Sequence, residues 1–135
     1  GVSYTGMEGV NIVGGVGSDG SDNDTQTYGV SYTVGSITGA YQITEINYAA
    51  GSSNDESGTH YGISMAVNDD FSISTGRQET DFGTAAVDEE NTGYSASYTM
   101  GGMTIGYAYN EVKKAAGSAT AVDIEASIVN LSFAF

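Results

Sequence analysis
The chain has 135 residues, a formal net charge of −14, 20 Gly and 10 Tyr, and no Cys, Pro or Trp. Three Lys/Arg against 17 carboxylates leave no cationic surface for phosphate, which excludes a nucleic-acid partner. The missing Cys excludes disulfides, a thiol nucleophile and a thiolate zinc site, and the missing Pro leaves the turns to Gly, Asn and Asp.

In chain order the sequence reads as four alike hairpins. They are GVSYTGMEGVNIVGGVG from Gly1, YGVSYTVGSITGAYQI from Tyr28, YGISMAVNDDFSISTG from Tyr61 and YSASYTMGGMTIGYAYN from Tyr94. Each is a strand, a very short turn and a second strand. The turns are expected at Gly6–Glu8, Gly35–Ser36, Asn68–Asp70 and Gly101–Gly102, where Gly, Asn and Asp would supply positive φ. Longer polar segments separate the hairpins: Ser18–Thr25, Ala49–Ser57, Thr80–Glu90 and Lys113–Thr120. A last strand runs from Ala121 to Phe135. If consecutive strands pair, all short turns fall at one end and all long acidic loops at the other, as in outer-membrane barrels.

Side chains of a strand alternate between faces. One face carries Tyr28, Val30, Tyr32 and Val34, then Ile37, Tyr41 and Ile43, then Tyr61, Ile63, Met65 and Val67. Phe71 and Ile73, Tyr94 to Met100, and Met103 to Tyr109 continue it on alternate positions. The other face is mostly Ser, Thr, Gly and Ala. A soluble sandwich would put Lys, Glu and Arg there. Small neutral residues suit the confined interior of a barrel instead. The apolar stripe implies roughly eight residues of strand per crossing, against about 9–11 for a membrane strand. Tyr28, Tyr61 and Tyr94, at the loop-end starts of their strands, and Tyr4, Tyr32 and Tyr98, near the short turns, are placed for two interfacial girdles. No apolar run reaches the ~20 residues of a membrane helix. Closure follows from the bilayer, which leaves no backbone group unpaired.

No catalytic constellation is present, so an enzyme is not expected. His60, the one His, shares parity with Ser64 and points to the lumen as a polar wall residue. Arg77, the one Arg, shares parity with Phe71 and Ile73, so it either sits above the apolar band or is turned inward by a bulge at Gly76. Together with Glu45, Asp81, Asp88, Glu89 and Glu90 these are the candidates for the pore wall or its mouth. Asp19, Asp22 and Asp24 superficially resemble a calcium loop but lack the distal Glu of an EF-hand. No cofactor is implied. Acidic loops could hold divalent cations loosely, and at a pore mouth they would favour cations over anions.

In the last strand Val129, Leu131, Phe133 and Phe135 share one face. This segment resembles the C-terminal insertion signal of Gram-negative outer-membrane proteins. The hairpin rhythm resembles general diffusion porins, particularly those of α-proteobacteria, over nearly the whole chain. The resemblance implies an all-β, antiparallel up-and-down transmembrane β-barrel in the outer membrane. It also implies recognition by the barrel-assembly machinery, contact with outer-membrane lipid and lipopolysaccharide, a sixteen-stranded wall and a homotrimer. About eight or nine strands are countable in the single domain 1–135, of which Gly1–Thr5 is a stub. Gly1 opens directly on that stub, with neither a basic nor an apolar leader, and the stub repeats the pattern of a full strand. The expectation is therefore the C-terminal portion of a larger barrel conducting small hydrophilic solutes. The alternatives are a small closed eight-stranded barrel acting as anchor or adhesin, and a soluble acidic repeat protein.

Overall fold
Period-two alternation with Gly-marked turns gives strands throughout. The computed structural model describes residues 1–19, 21–49, 51 and 54–134. Nine strands follow one another: β1 (Val2–Met7), β2 (Val10–Ser18), β3 (Asp24–Val34), β4 (Ile37–Asn47), β5 (Glu56–Ala66), β6 (Phe71–Asp81), β7 (Glu89–Met100), β8 (Met103–Lys113) and β9 (Ile124–Phe133). One short 3-10 turn, Ala115–Gly117, follows β8. The strands form a single antiparallel meander in the order β1 to β9. The sheet is not closed: β1 and β9 are its two edges. Both are odd-numbered in a meander, so they run in the same direction.

The strands are longer than hydropathy alone implies. β3 to β6 and β8 each have 11 residues, although the apolar stripe of β3 runs only from Tyr28 to Val34. The ladder continues into the segments expected as loops, so Asp24, Glu56, Asp81, Glu89 and Glu90 are strand residues. Backbone pairing does not need an apolar side chain to propagate. At about 3.3 Å per residue and about 45° of tilt, 11 residues rise about 26 Å, close to a bilayer's hydrocarbon thickness. Tyr28, Tyr61 and Tyr94 accordingly do not start their strands. They lie several residues in, at the upper edge of the apolar stripe. The last strand likewise starts at Ile124 rather than Ala121.

Two short turns stand where expected. Gly35 (φ 58°) and Gly101 (φ 59°) hold the first central position, where a type II′ turn needs a positive φ. The first turn differs: Met7 pairs with Val10, so Glu8 and Gly9 form it, and Gly9 takes the positive φ of 74°. A register shift between Tyr4 and Met7 absorbs the displacement. The Asn68 turn differs in mechanism. None of its residues has positive φ. Instead Asn68 Oδ1 accepts the Asp70 and Phe71 amides at 2.9 and 2.8 Å, closing the turn with a side chain.

Among the described residues no apolar side chain is buried. The one buried residue is Gly117, which fits against Phe82, Ala85 and Val87 of the β6–β7 loop. The sheet has no second layer, whereas a water-soluble domain would cover its apolar face with one. Ile63, Tyr94, Ile105, Val129, Leu131 and Phe133 are all more than two-fifths exposed. Contiguous exposure on that scale marks an interaction surface.

Candidate functional site
Cross-strand register assigns each strand residue to a face. On the polar face Thr33 pairs with Thr38, Ser64 with Thr38 and Ser74, and Ser95 with Ser74 and Ala108. Hydroxyls on opposite strands bond directly here: Thr27 with Thr44 at 3.1 Å, Thr33 with Thr38 at 2.9 Å, Ser74 with Ser95 at 2.7 Å, and Thr99 with Thr104 at 3.0 Å. The row toward the long loops is Gln42, His60, Gln78 and Asn91. Between these rows lie Ala40, Gly62, Gly76 and Gly93, which leave the backbone bare. Residues from β2 to β8 line one open trough of about 650 Å³. No Asp, Glu or Lys lines it.

His60 lines this trough, flanked across the strands by Gln42 and Gln78. Arg77 keeps the parity of Phe71 and Ile73. Pairing runs unbroken through Gly62–Gly76 and Gly76–Gly93, so Gly76 makes no bulge. Arg77 therefore belongs to the apolar-face side, in the row of Tyr41 and Tyr61, although it also borders the trough. Glu45 and Asp81 share one row through Ser57 on that same face. Glu90 pairs with Glu79 and Lys113 on it as well. Glu89 lies on the polar face, paired with Thr80, while Asp88 lies in the β6–β7 loop.

The carboxylates of the strands are thus unequally divided. Asp24, Glu45, Glu79, Asp81, Glu90, Glu111 and Glu125 stand on the apolar-face side, above its stripe. Glu56 and Glu89 stand on the polar face, also at the loop end. The chain's three cations gather among the outer set. Arg77 Nη2 donates to Glu90 Oε2 at 2.8 Å, and Lys114 Nζ to Glu90 Oε1 at 2.6 Å. Arg77 Nε lies 2.9 Å from Glu79, off the line of its N–H, and Lys113 pairs with Glu111 at 3.2 Å. Glu89 fastens the 3-10 turn by accepting the Ala116 amide at 2.8 Å. Arg77–Glu79 and Lys113–Glu111 are two residues apart on one strand, whereas these partners of Glu89 and Glu90 lie 13 to 27 positions away, so no local motif announces those.

The β2–β3 loop is held by Asp19. Its carboxylate accepts the Ser21 and Asn23 amides and the Asn23 side chain at 2.8, 3.1 and 2.8 Å. The Asn23 side-chain amide, then the two backbone amides, hold this carboxyl below its ordinary range. Asn23 also accepts the Ala49 amide at 3.1 Å, tying this loop to the next.

On the apolar face Val129 pairs with Tyr107, Leu131 with Ile105 and Phe133 with Met103, so the stripe of β9 continues that of β8. Phe135 lies outside the described residues. The Tyr residues mark a further regularity. The row of Tyr28 reaches β5 at Thr59, two residues on the loop side of Tyr61. The row of Tyr61 reaches β7 at Thr92, two residues on the loop side of Tyr94. The upper edge of the apolar band therefore crosses the rows obliquely, by one residue per strand. With about 3.3 Å per residue and about 4.8 Å between strands, a level band requires strands tilted by about 35°. Strands of closed barrels tilt by about 35–45°. No protein-family model matches the chain, and no curated protein or solved structure matches it significantly.

Proposed function
We propose that this sheet is part of the wall of an outer-membrane β-barrel porin, a water-filled channel for passive diffusion of small hydrophilic solutes and ions. The observation that carries this reading is the contrast of faces. An apolar face with nothing over it is backed by a polar face of mostly small residues whose trough holds no Asp, Glu or Lys, and the apolar band is level only if the strands tilt as barrel strands do. Lipid would cover the first face and water the second. In this reading further strands lie between β9 and β1. Because those edges run the same way, antiparallel closure takes an odd number of them, and a sixteen-stranded wall adds seven to the nine seen. A homotrimer, contact with lipopolysaccharide and delivery by the barrel-assembly machinery belong to the same proposal.

Cation preference is proposed on narrower ground. Most strand carboxylates stand on the outward side. The field at the mouth would come from Glu56, Glu89 and the loop acids Asp55 and Asp88. The test is reconstitution of the native gene product in planar bilayers across a salt gradient. Stepwise conductance with a reversal potential of cation sign is expected. A membrane that stays silent overturns the channel, and an anion-signed potential overturns the preference. Extraction into buffer without detergent would instead favour a soluble protein.

A further inference from the structure
We propose that the β8–β9 loop, residues 114–123, is a strained strap, docked on the β6–β7 loop and released by acid when Glu89 and Glu90 lose their charge. The device does not depend on whether the sheet lines a channel.

The docked strap holds the one buried residue among those described. Gly117 lies against Phe82, Ala85 and Val87, and a Cβ there would run into the Ala85 side chain and the Val87 carbonyl. The backbone that brings Gly117 to this place is unfavourable. Lys114, Ala116 and Gly117 have φ of 53°, 54° and 70°. Glycine takes such angles freely, but the Cβ atoms of Lys114 and Ala116 oppose them. Within the strap little offsets this. The Gly117 amide donates to the Lys114 carbonyl at 2.9 Å and the Ser118 amide to the Ala115 carbonyl at 3.3 Å, and no side chain caps the start of the turn. A backbone bent in this way persists only where its surroundings hold it.

Two carboxylates do so. Glu89 and Glu90 are successive residues at the start of β7, so they stand on opposite faces of the sheet. Glu89 Oε2 accepts the Ala116 amide at 2.8 Å, and Glu90 Oε1 accepts the Lys114 ammonium at 2.6 Å. The strap is thus gripped at its two left-handed non-glycine residues, from both faces of one strand. Facing Glu90 are Arg77 and Glu79 of β6, Glu111 and Lys113 of β8, and Lys114 itself. Facing Glu89 are Thr80 of β6 and the Asn91 side chain, which donates to its other oxygen at 2.9 Å, with Asp88 beside it in the chain.

Protonation acts on both anchors in the same sense. A neutral Glu90 gives up its ion pairs with Lys114 and Arg77, and a neutral Glu89 is a weaker acceptor for the Ala116 amide. Docking is therefore complete while both are charged and is lost as pH falls through their titration. The left-handed strain then favours release. The sheet need not open, because the ladders of β8 end at Lys113 and that of β9 begins at Ile124, which leaves residues 114–123 outside them. Acid would free a loop beside the trough and leave the strands paired.

Hydrogen exchange of the native gene product in detergent tests this, each rate being divided by its intrinsic rate at that pH. The Ala116 and Gly117 amides should be protected at neutral pH and lose about tenfold of that protection below the ordinary carboxylate range. Amides of the β5–β6 ladder should keep theirs. Glu89→Gln with Glu90→Gln preserves size but cannot titrate, so its strap should show the lower protection at every pH. Ala116→Gly relieves strain and should raise protection by about threefold, whereas Gly117→Ala should release the strap at neutral pH. Strap protection indifferent to pH in the unaltered protein overturns the proposal. So does pH dependence that persists in the double variant, or a fall shared by the β5–β6 amides. Lower protection in Ala116→Gly overturns the strain.

Discussion

The two ends of the sheet are made from the same strands but from different chemistry. Toward the short turns, the apolar-face positions of β5 and β8 read Ile63 and Met65, Met103, Ile105 and Tyr107. Toward the long loops, the same two faces read Ser57 and Thr59, Glu111 and Lys113. One end is connected by turns of two to four residues, the other by segments such as 82–88 and 114–123 that carry their own hydrogen bonds and ion pairs. A strand in one solvent has no reason to change composition along its length. One that passes from hydrocarbon to a charged interface does, because an unpaired charge in hydrocarbon has nothing to replace its water.

The largest expected effect breaks this contrast directly. Ile63→Arg places a cation inside the apolar band, and should cost about 2–4 kcal/mol of folding free energy in lipid vesicles. Ser57→Arg lies on the same strand and face, but between Glu45 and Asp81, and should cost about 0–1 kcal/mol. Urea titration of vesicle-folded protein measures both. Equal costs would mean that the two ends see one environment.

A smaller effect sharpens the charged end. Glu90 holds Arg77 and Lys114 at once, joining β6, β7 and the β8–β9 loop, with its side chain one-quarter exposed. Glu90→Gln should lower stability by less than about 1 kcal/mol. The difference should shrink at high salt, which screens exposed pairs. A salt-independent loss would instead indicate packing.

The smallest effect is a pH signature of the β2–β3 loop. The carboxyl of Asp19 is held below its ordinary range by Asn23 and the Ser21 and Asn23 amides. A depressed folded value means that its contribution is complete above the ordinary carboxylate range. That contribution is lost as pH falls through the depressed value. Amide shifts of Ser21 and Asn23 should therefore stay constant down through the usual carboxylate range and move only at more acidic pH. Asp19→Asn keeps an acceptor but removes the titration, so the movement should vanish.

Much of this organisation was legible in the order of residues. The alternation at Tyr28 to Val34 and Tyr94 to Met100 is a local, period-two signal, and Gly35 and Gly101 mark the turns beside them. The parity of His60 with Ser64 and of Arg77 with Ile73 survives intact, because a ladder without bulges preserves alternation. The signal fails where both faces turn polar. Asp24, Glu56 and Glu89 looked like loop, yet they pair in register, since the ladder is made by backbone groups that every residue there possesses. It also fails at Asn68, where a side chain closes the turn that positive φ was expected to make.

By itself, then, the sequence determined the strands, their order of reversal and the chemistry of each face, all properties of neighbours along the chain. The tertiary structure alone decided how each strand is offset from the next. That offset brings Arg77, Lys113 and Lys114 together around Glu90 from two distant segments. It also sets Tyr28, Tyr61 and Tyr94 on a line oblique to the rows. Offset is a relation between strands closed by turns of different geometry, and hydrogen bonding across those turns sets it.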